Sequence, residues 1–225
     1  GTAVDVLMPL LFLLLGALVF YSAKHGAFDQ ALNFMFNADF SKLSGKSVLI
    51  AMGHAFFTLS LGMGTVMVYG SYMPANTSIA GAVASVAFLD TLIALVAGMT
   101  IFPLVFASNL EPGSGPGLLF ESLPIAFSTM WNGEYFGAAF FLLVTIAALS
   151  SSISLIEPGI SWLEKIGINR AAATIVLALV CWGGGVASIY SEDVFGSLDF
   201  ITSNIMLPLG GLLIAVFTGW VLGYT

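Results

Sequence analysis

Residues 53–64 of this chain, GHAFFTLSLGMG, lie in the middle of an apolar segment, residues 47–72, that is long enough to cross a bilayer. Glycine in a helix interior costs about 1 kcal/mol. Unpaired backbone at membrane depth is tolerated only where it is buried in protein or lines an aqueous cavity. We therefore predict a transmembrane helix broken in its middle, the arrangement with which secondary transporters build ion and substrate sites. The residues that favour the break are Thr58, Ser60, Gly62 and Gly64.

The composition of the chain requires a lipid environment. Hydrophobic residues make up 59% of the 225 residues and charged residues 8%, whereas a soluble domain has about 25% charged residues. The mean hydropathy is +1.04. The net charge of −7 comes from 12 acidic and 5 basic residues without a basic cluster, so we expect no nucleic acid partner. The single cysteine, Cys181, is interpreted as a small core residue.

Windows of about 20 apolar residues predict about six transmembrane helices in one all-α domain, 1–225. Because the chain begins with Gly-Thr-Ala and both ends lie beside apolar runs, we expect a fragment of a longer polytopic protein. The fourth span is expected to end at Glu157–Pro158, and residues 191–199 to form an acidic connection. The predicted spans are 5–23, 47–73, 78–107, 134–155, 171–190 and 200–224.

Two longer connections carry predicted structure of their own. In residues 24–46, apolar residues at Phe28, Leu32 and Met35 have the spacing of a short amphipathic helix at the membrane interface. Residues 109–133 begin as a Gly- and Pro-rich loop and continue into an apolar stretch that predicts a partly buried helix. A structured connection of this length favours a lid or plug.

Ionisable residues inside membrane spans are rare and indicate function by default. Asp90 lies in mid-span, and a buried carboxylate is costly unless it is paired or binds a cation, so we interpret it as functional. His54 precedes the predicted break and fits a core histidine as well as a site residue. Glu157 lies near a membrane face before a proline, which favours a structural role at a helix end.

Hydroxyl residues cluster in the fourth span, at Ser150–Ser152 and Ser154. Such residues pack helices closely and hydrogen-bond to their own backbone. Their oxygens are also suitable ligands for an alkali cation. The residues alone leave both interpretations open.

Five stretches resemble the neurotransmitter:sodium symporter family, which includes the LeuT-type bacterial amino acid transporters. The first two are similar to the sixth helix of that family, the next two to the eighth, and the last to the start of the tenth. In order they are 56–64, 69–72, 147–152, 157–158 and 199–200. The resemblance covers essentially the whole chain and helices five to ten only of the family. It implies a partial LeuT-like inverted-repeat transporter core, with one helix broken at mid-membrane.

The resemblance implies two sodium sites, each completed by residues missing from this chain. Thr58 and Asp90 would bind the first Na⁺ ion. The carbonyl of Ala147 and the hydroxyls of Ser150 and Ser151 would hold the second.

The resemblance also implies a substrate pocket between the broken helix and the eighth helix, with Phe57 as an aromatic lid. Asp199 would be the extracellular half of a salt-bridge gate, and residues 109–133 would form an external plug, with 24–46 and 191–199 on the same side. The implied substrate-binding residues are Phe57, Thr58, Ser60, Met63, Ser151, Ser154 and Leu155.

Two positions depart from the family pattern. The family usually has Asn at Asp90 and Gln at His54, two positions that surround chloride in chloride-dependent members. Chloride-independent bacterial members often carry an acid at the Ala94 position, one helical turn after Asp90. Our hypothesis is that the Asp90 carboxylate replaces the chloride charge, and that His54 is its partner in the chloride-substitute region.

The leading interpretation is a multi-pass protein of the cell (inner) membrane that couples sodium to uptake of a small, hydrophobic or aromatic amino acid by alternating access. Its partners would be the amino acid, sodium ions, the lipid bilayer and the remaining helices of the same transporter. Two alternatives stay open: a non-transporting accessory subunit, and a channel-like pore with Asp90 as a selectivity acid. An enzyme is least expected, because the sequence shows no nucleophile–base pair and no metal-ligand spacing.

Overall fold

The computed structural model describes residues 2–74, 76–113 and 115–222. These residues are mostly helical and contain no β-strand, which confirms the all-α class. A 3₁₀ turn covers Phe40–Lys42, and π-helical turns cover Leu118–Ser122, Thr202–Met206 and Phe217–Val221. The helices are α1 Thr2–His25, α2 Phe28–Phe36, α3 Gly45–Thr58, α4 Thr65–Gly70, α5 Ile79–Ala107, α6 Gly115–Gly117, α7 Leu123–Ser128, α8 Gly133–Lys165, α9 Arg170–Tyr190, α10 Glu192–Ile201 and α11 Leu207–Val216.

Among the described residues, four helices are long and apolar enough to cross a membrane: α5, α8, α9 and the continuous helix Glu192–Val221 that contains α10 and α11. Helix α1 from Pro9 passes the same test together with α2, to which it is joined at a bend of 112°. Helices α3 and α4 have 14 and 6 residues, so neither is long enough alone. The chain is thus polytopic, and the full set of six spans stays a prediction. Ser114 of the predicted plug and the last two residues of the sixth predicted span lie outside the described residues.

The chain divides into two compact units. The first runs up to Ser41 and from Phe88 to Ser150, and the second runs from Lys42 to Ala87 and from Ser151 onward. Of the three boundaries, one falls in the 3₁₀ turn Phe40–Lys42, one inside α5 and one inside α8.

The first unit has a conventional core of large apolar side chains. Leu18 of α1, Leu123 and Phe127 of α7, and Phe140 of α8 are buried in one cluster. The rings of Phe127 and Phe140 lie 5.6 Å apart between centroids. Helix α7 therefore confirms the partly buried helix predicted within residues 109–133.

A proline inside α5 leaves a helix carbonyl that α1 satisfies. Pro103 has no N–H, so the Met99 carbonyl loses its helical donor. The fully buried Ser22 hydroxyl of α1 donates to that carbonyl at 3.1 Å. The Ala27 N–H, at the bend before α2, donates to the Pro103 carbonyl at 3.1 Å. Helix α2 forms as predicted and packs its Phe34 ring 4.9 Å from the Phe102 ring of α5.

The second unit is packed through glycines. Helix α3 contacts α11 and the π-helical turn before it. A Cβ at Gly53 would lie 2.5 Å from the Ser203 carbonyl oxygen, and one at Gly211 would overlap the Phe56 ring. Small residues are the usual means by which membrane helices approach closely.

Two predicted helix boundaries in this unit are wrong. Helix α8 continues through Pro158 to Lys165, so Glu157 lies inside the helix and not at its end. A proline removes one helical hydrogen bond. Contacts of Gly64 with Pro158 and of Arg170 with Glu157 stabilise the continuation. The connection predicted at 191–199 is the start of α10. Ser191 caps it by accepting from the Val194 N–H at 3.4 Å, and acidic residues in the first turn favour a helix N-terminus.

Candidate functional site

The break predicted in the second span is present. The α3 ladder ends with the Leu61 N–H donating to the Phe56 carbonyl at 2.8 Å, and helical bonding resumes where the Val68 N–H donates to the Gly64 carbonyl at 3.1 Å. The backbone between these bonds lies outside a regular helix, which leaves its polar groups available to a ligand.

The backbone at the break is left-handed at three positions. Gly62 and Gly64 have φ values of 81° and 82°, which glycine adopts without strain. Ser60 has φ 56°, a conformation that costs a non-glycine residue about 1–3 kcal/mol and that clusters at functional sites. The strained serine is one of the predicted substrate residues.

Contacts from two helices hold the broken segment in place. A Cβ at Gly62 would overlap the Leu207 carbonyl oxygen of α11, and one at Gly210 would overlap the Gly62 carbonyl. A Cβ at Gly64 would lie 3.4 Å from the Pro158 ring of α8. The sequence marked these glycines as helix breakers, but it gave no signal for which helices they contact.

The predicted residues of the broken helix differ in exposure. Phe57 is 52% exposed, and the exposed Thr58 donates its hydroxyl to the Ala55 carbonyl at 3.4 Å. Ser60 and Met63 are half-buried within the break. His54 is exposed, next to the buried Gly53.

The predicted residues of α8 share one helical face. Positions 147, 150, 151, 154 and 155 have the i, i+3, i+4, i+7, i+8 spacing that aligns side chains along a helix. The Ser150 hydroxyl donates to the Ala147 carbonyl at 2.8 Å, so two of the three predicted ligands of the second sodium ion are in contact. The face therefore presents hard oxygen donors beside the apolar Leu155.

Asp90 is half-buried on α5 and belongs to the first unit, whereas Thr58 belongs to the second. Ala94 lies one turn after Asp90 on the same helix. Asp199 is exposed on α10 and accepts a hydrogen bond from the Ser203 hydroxyl at 3.3 Å.

An ion-pair cluster on α8 and α9 was not predicted. Arg170, the first residue of α9, contacts Glu157 at 2.9 Å and Glu164 at 3.0 Å. The two glutamates are seven residues apart on α8, which places them on one face. This cluster gives Glu157 a structural role and supports α8 beyond Pro158.

Comparison with known proteins identifies the class. A model of the sodium:neurotransmitter symporter family matches residues 2–217, and the protein belongs to this family. It is thus a multi-pass membrane protein of a family of sodium-dependent transporters, not of enzymes.

Individual relatives agree with the family match. An uncharacterized sodium-dependent transporter of Haemophilus influenzae is 34% identical over 98% of this chain and 51% of the relative. Another from Bacillus subtilis is 34% identical over 94% of this chain and 50% of the relative. The sodium-dependent dopamine transporter of Caenorhabditis elegans is 24% identical over 92% of this chain and 35% of the relative. The chain spans about half the length of the first two relatives.

Proposed function

We propose that this chain forms part of a sodium-coupled symporter for a small hydrophobic or aromatic amino acid in the cell (inner) membrane. The observation that carries the proposal is the break in the α3–α4 span, with Ser60 in a left-handed conformation between two helical ladders. A break of this kind provides backbone groups for an ion and a polar substrate at membrane depth.

Two sodium ions are the co-transported substrates in this proposal. Thr58 and Asp90 contribute a hydroxyl and a carboxylate to the first ion. Ala147, Ser150 and Ser151 contribute a carbonyl and two hydroxyls to the second. In this scheme the Ser150 hydroxyl turns from the Ala147 carbonyl when the ion binds, so that both oxygens face it. Ligands from the remaining helices of the transporter complete both sites.

The amino acid binds against the broken helix and the α8 face. Ser60 provides polar groups for the substrate backbone. Phe57, Met63 and Leu155 make the side-chain pocket apolar, and methionine lets it adapt to different shapes. Ser151 and Ser154 lie on the same face.

Coupling follows from electrostatics. A sodium ion held in a medium of low dielectric attracts the substrate carboxylate strongly, so each ligand raises the affinity for the other. Alternating access then moves both ligands across the membrane. Asp199 provides one half of an external gate, and residues 109–133 cover the external vestibule.

Asp90 supplies the negative charge that chloride provides in other members, with His54 as its partner. Transport is therefore chloride-independent.

The test is uptake of labelled leucine and tyrosine into proteoliposomes by the full-length protein that contains this sequence, with sodium or potassium outside. We expect uptake in sodium only, and at least a tenfold loss in Asp90→Ala and Ser151→Ala. Ser188→Ala is the matched control, because Ser188 is on α9 and its hydroxyl donates to the Gly184 carbonyl of its own helix. Equal uptake in sodium and potassium contradicts the proposal. Loss of uptake when gluconate replaces chloride contradicts the role of Asp90.

A further inference from the structure

A long-range hydrogen bond ties the second half of the broken helix to α8. The Tyr69 hydroxyl of α4 donates to the Ser154 hydroxyl oxygen of α8. Both residues belong to the second unit. Tyr69 lies 85 residues from Ser154 in sequence, so this bond is a tertiary contact between two elements of the proposed transport site.

A second contact lies one helical turn further along α8. Gly64, which opens α4, packs against Pro158. Ser154 and Pro158 are four residues apart and lie on the same side of α8. Because Tyr69 and Gly64 both lie in residues 64–70, the short α4 is attached to α8 at two points.

The same turn of α8 is altered by its proline. Pro158 has no N–H to donate to the Ser154 carbonyl, so α8 loses a helical bond at the residue that binds Tyr69. Thr65, the next residue after Gly64, is buried, with 4% of its surface exposed. Tyr69 itself is 53% exposed, and its bond to Ser154 is not buried. Together, the Gly64 and Tyr69 contacts form a joint between α4 and α8.

We infer that Tyr69 and Ser154 are positioning residues that transmit sodium binding on α8 to the substrate-lining break. Ser154 lies one turn after Ser150 and Ser151, on the helical face that carries the proposed second sodium site. Gly64 directly follows Met63 of the proposed substrate pocket. This inference rests on the proposed function, and it assigns the Ser154 hydroxyl to Tyr69 where the sequence predicted a substrate contact.

The joint has a specific thermodynamic consequence. If sodium fixes α8 and α8 fixes α4, the ion orders the pocket before the substrate arrives, and the two ligands bind cooperatively. Removing the bond at Tyr69, which is not one of the proposed site residues, leaves both binding sites unchanged and weakens the connection between them. A hydrogen bond of ordinary net strength corresponds to about a threefold to tenfold change in an equilibrium constant.

The experiment measures the Kd of labelled leucine, or of tyrosine if that is the amino acid taken up, at low and at saturating sodium. The ratio of the two Kd values reports the coupling. In the full-length protein that contains this sequence, Tyr69→Phe and Ser154→Ala are expected to reduce the ratio about threefold to tenfold. The double variant is expected to match the single variants, because both remove the same bond. Ser154→Thr keeps the hydroxyl and is expected to restore the wild-type ratio.

Tyr190→Phe is the control for loss of a phenol hydroxyl, since Tyr190 ends α9 and is 87% exposed. An unchanged ratio in both Tyr69→Phe and Ser154→Ala overturns the inference. A second result also overturns it: Ser154→Ala weakens substrate binding equally at all sodium concentrations, and Tyr69→Phe has no effect. That result would make Ser154 a direct substrate contact. A wild-type protein without any sodium dependence instead refutes the proposed function itself.

Discussion

The packing inside the first unit differs from the packing inside the second. The first unit buries large side chains, among them Leu18, Phe127 and Phe140, in a continuous apolar cluster. The second brings helix backbones together at glycines, with Gly62 against the Leu207 carbonyl and Gly210 against the Gly62 carbonyl. The left-handed residues of the broken helix, Ser60, Gly62 and Gly64, all lie in the second unit.

The difference shows how a break in a membrane helix can be held rigid. Side-chain packing tolerates changes of similar volume, because neighbouring side chains can rearrange. A contact between two backbones leaves no side chain to rearrange. Close glycine contacts therefore fix an irregular segment whose own hydrogen bonds are incomplete, and they keep its carbonyls and N–H groups at defined positions.

The largest expected effect is a cavity in the first unit. Phe127→Ala removes a buried ring from the cluster and is expected to lower the free energy of unfolding by about 3–5 kcal/mol. Phe120→Ala is the matched control, since Phe120 is 67% exposed in the adjacent π-helical turn. Unfolding of the full-length protein in detergent, followed by intrinsic fluorescence, measures both. Equal effects of the two variants would show that the first unit has no side-chain core.

The corresponding change in the second unit is Gly62→Ala. A left-handed alanine costs about 1–2 kcal/mol, and overlap with the Leu207 carbonyl costs about 1–3 kcal/mol more. We also expect loss of sodium-dependent uptake, because the overlap displaces the broken segment that lines the proposed pocket. Gly70→Ala is the control: no atom lies within 4 Å of a Cβ at Gly70, and α4 is helical there. A fully active Gly62→Ala protein would show that close glycine packing does not fix the position of the broken segment.

The smallest expected effect concerns the first unit, where a side-chain hydroxyl instead of a close backbone contact satisfies a helix carbonyl. Ser22→Ala leaves the Met99 carbonyl without its side-chain donor, which costs about 1–3 kcal/mol. Pro103→Ala restores an N–H that can donate to the same carbonyl. In the double variant, Ser22→Ala should therefore be less destabilising than it is alone. Additive effects on the unfolding free energy would show that the Ser22 hydroxyl does not compensate for the N–H that Pro103 lacks.

The sequence predicted the features that depend on local chemistry. The glycine and hydroxyl pattern of residues 58–64 predicted the break, and the apolar spacing of residues 28–36 predicted α2, because both signals act within one or two turns. The continuation of α8 through Pro158 could not be predicted in this way. It depends on Gly64 and Arg170, which contact α8 from other parts of the chain.

In the candidate site, too, local patterns could be predicted and contacts between distant parts of the chain could not. The resemblance identified positions 147–155 on α8 as a group, and their shared face follows from the unbroken helix. The bond from Tyr69 to Ser154 joins residues 85 positions apart, and no local pattern in either segment signals it. The start of α10 at Ser191 was missed for a different reason: a capping serine followed by acidic residues was interpreted as a polar connection.

Concentrative uptake tests the central claim most directly. Proteoliposomes that contain the full-length protein are loaded with potassium, placed in sodium, and given labelled leucine or tyrosine at equal concentration on both sides. The account predicts that the amino acid accumulates inside while the sodium gradient lasts, and that a sodium ionophore releases it. Equilibration to equal concentrations, with or without the gradient, would contradict sodium-coupled symport.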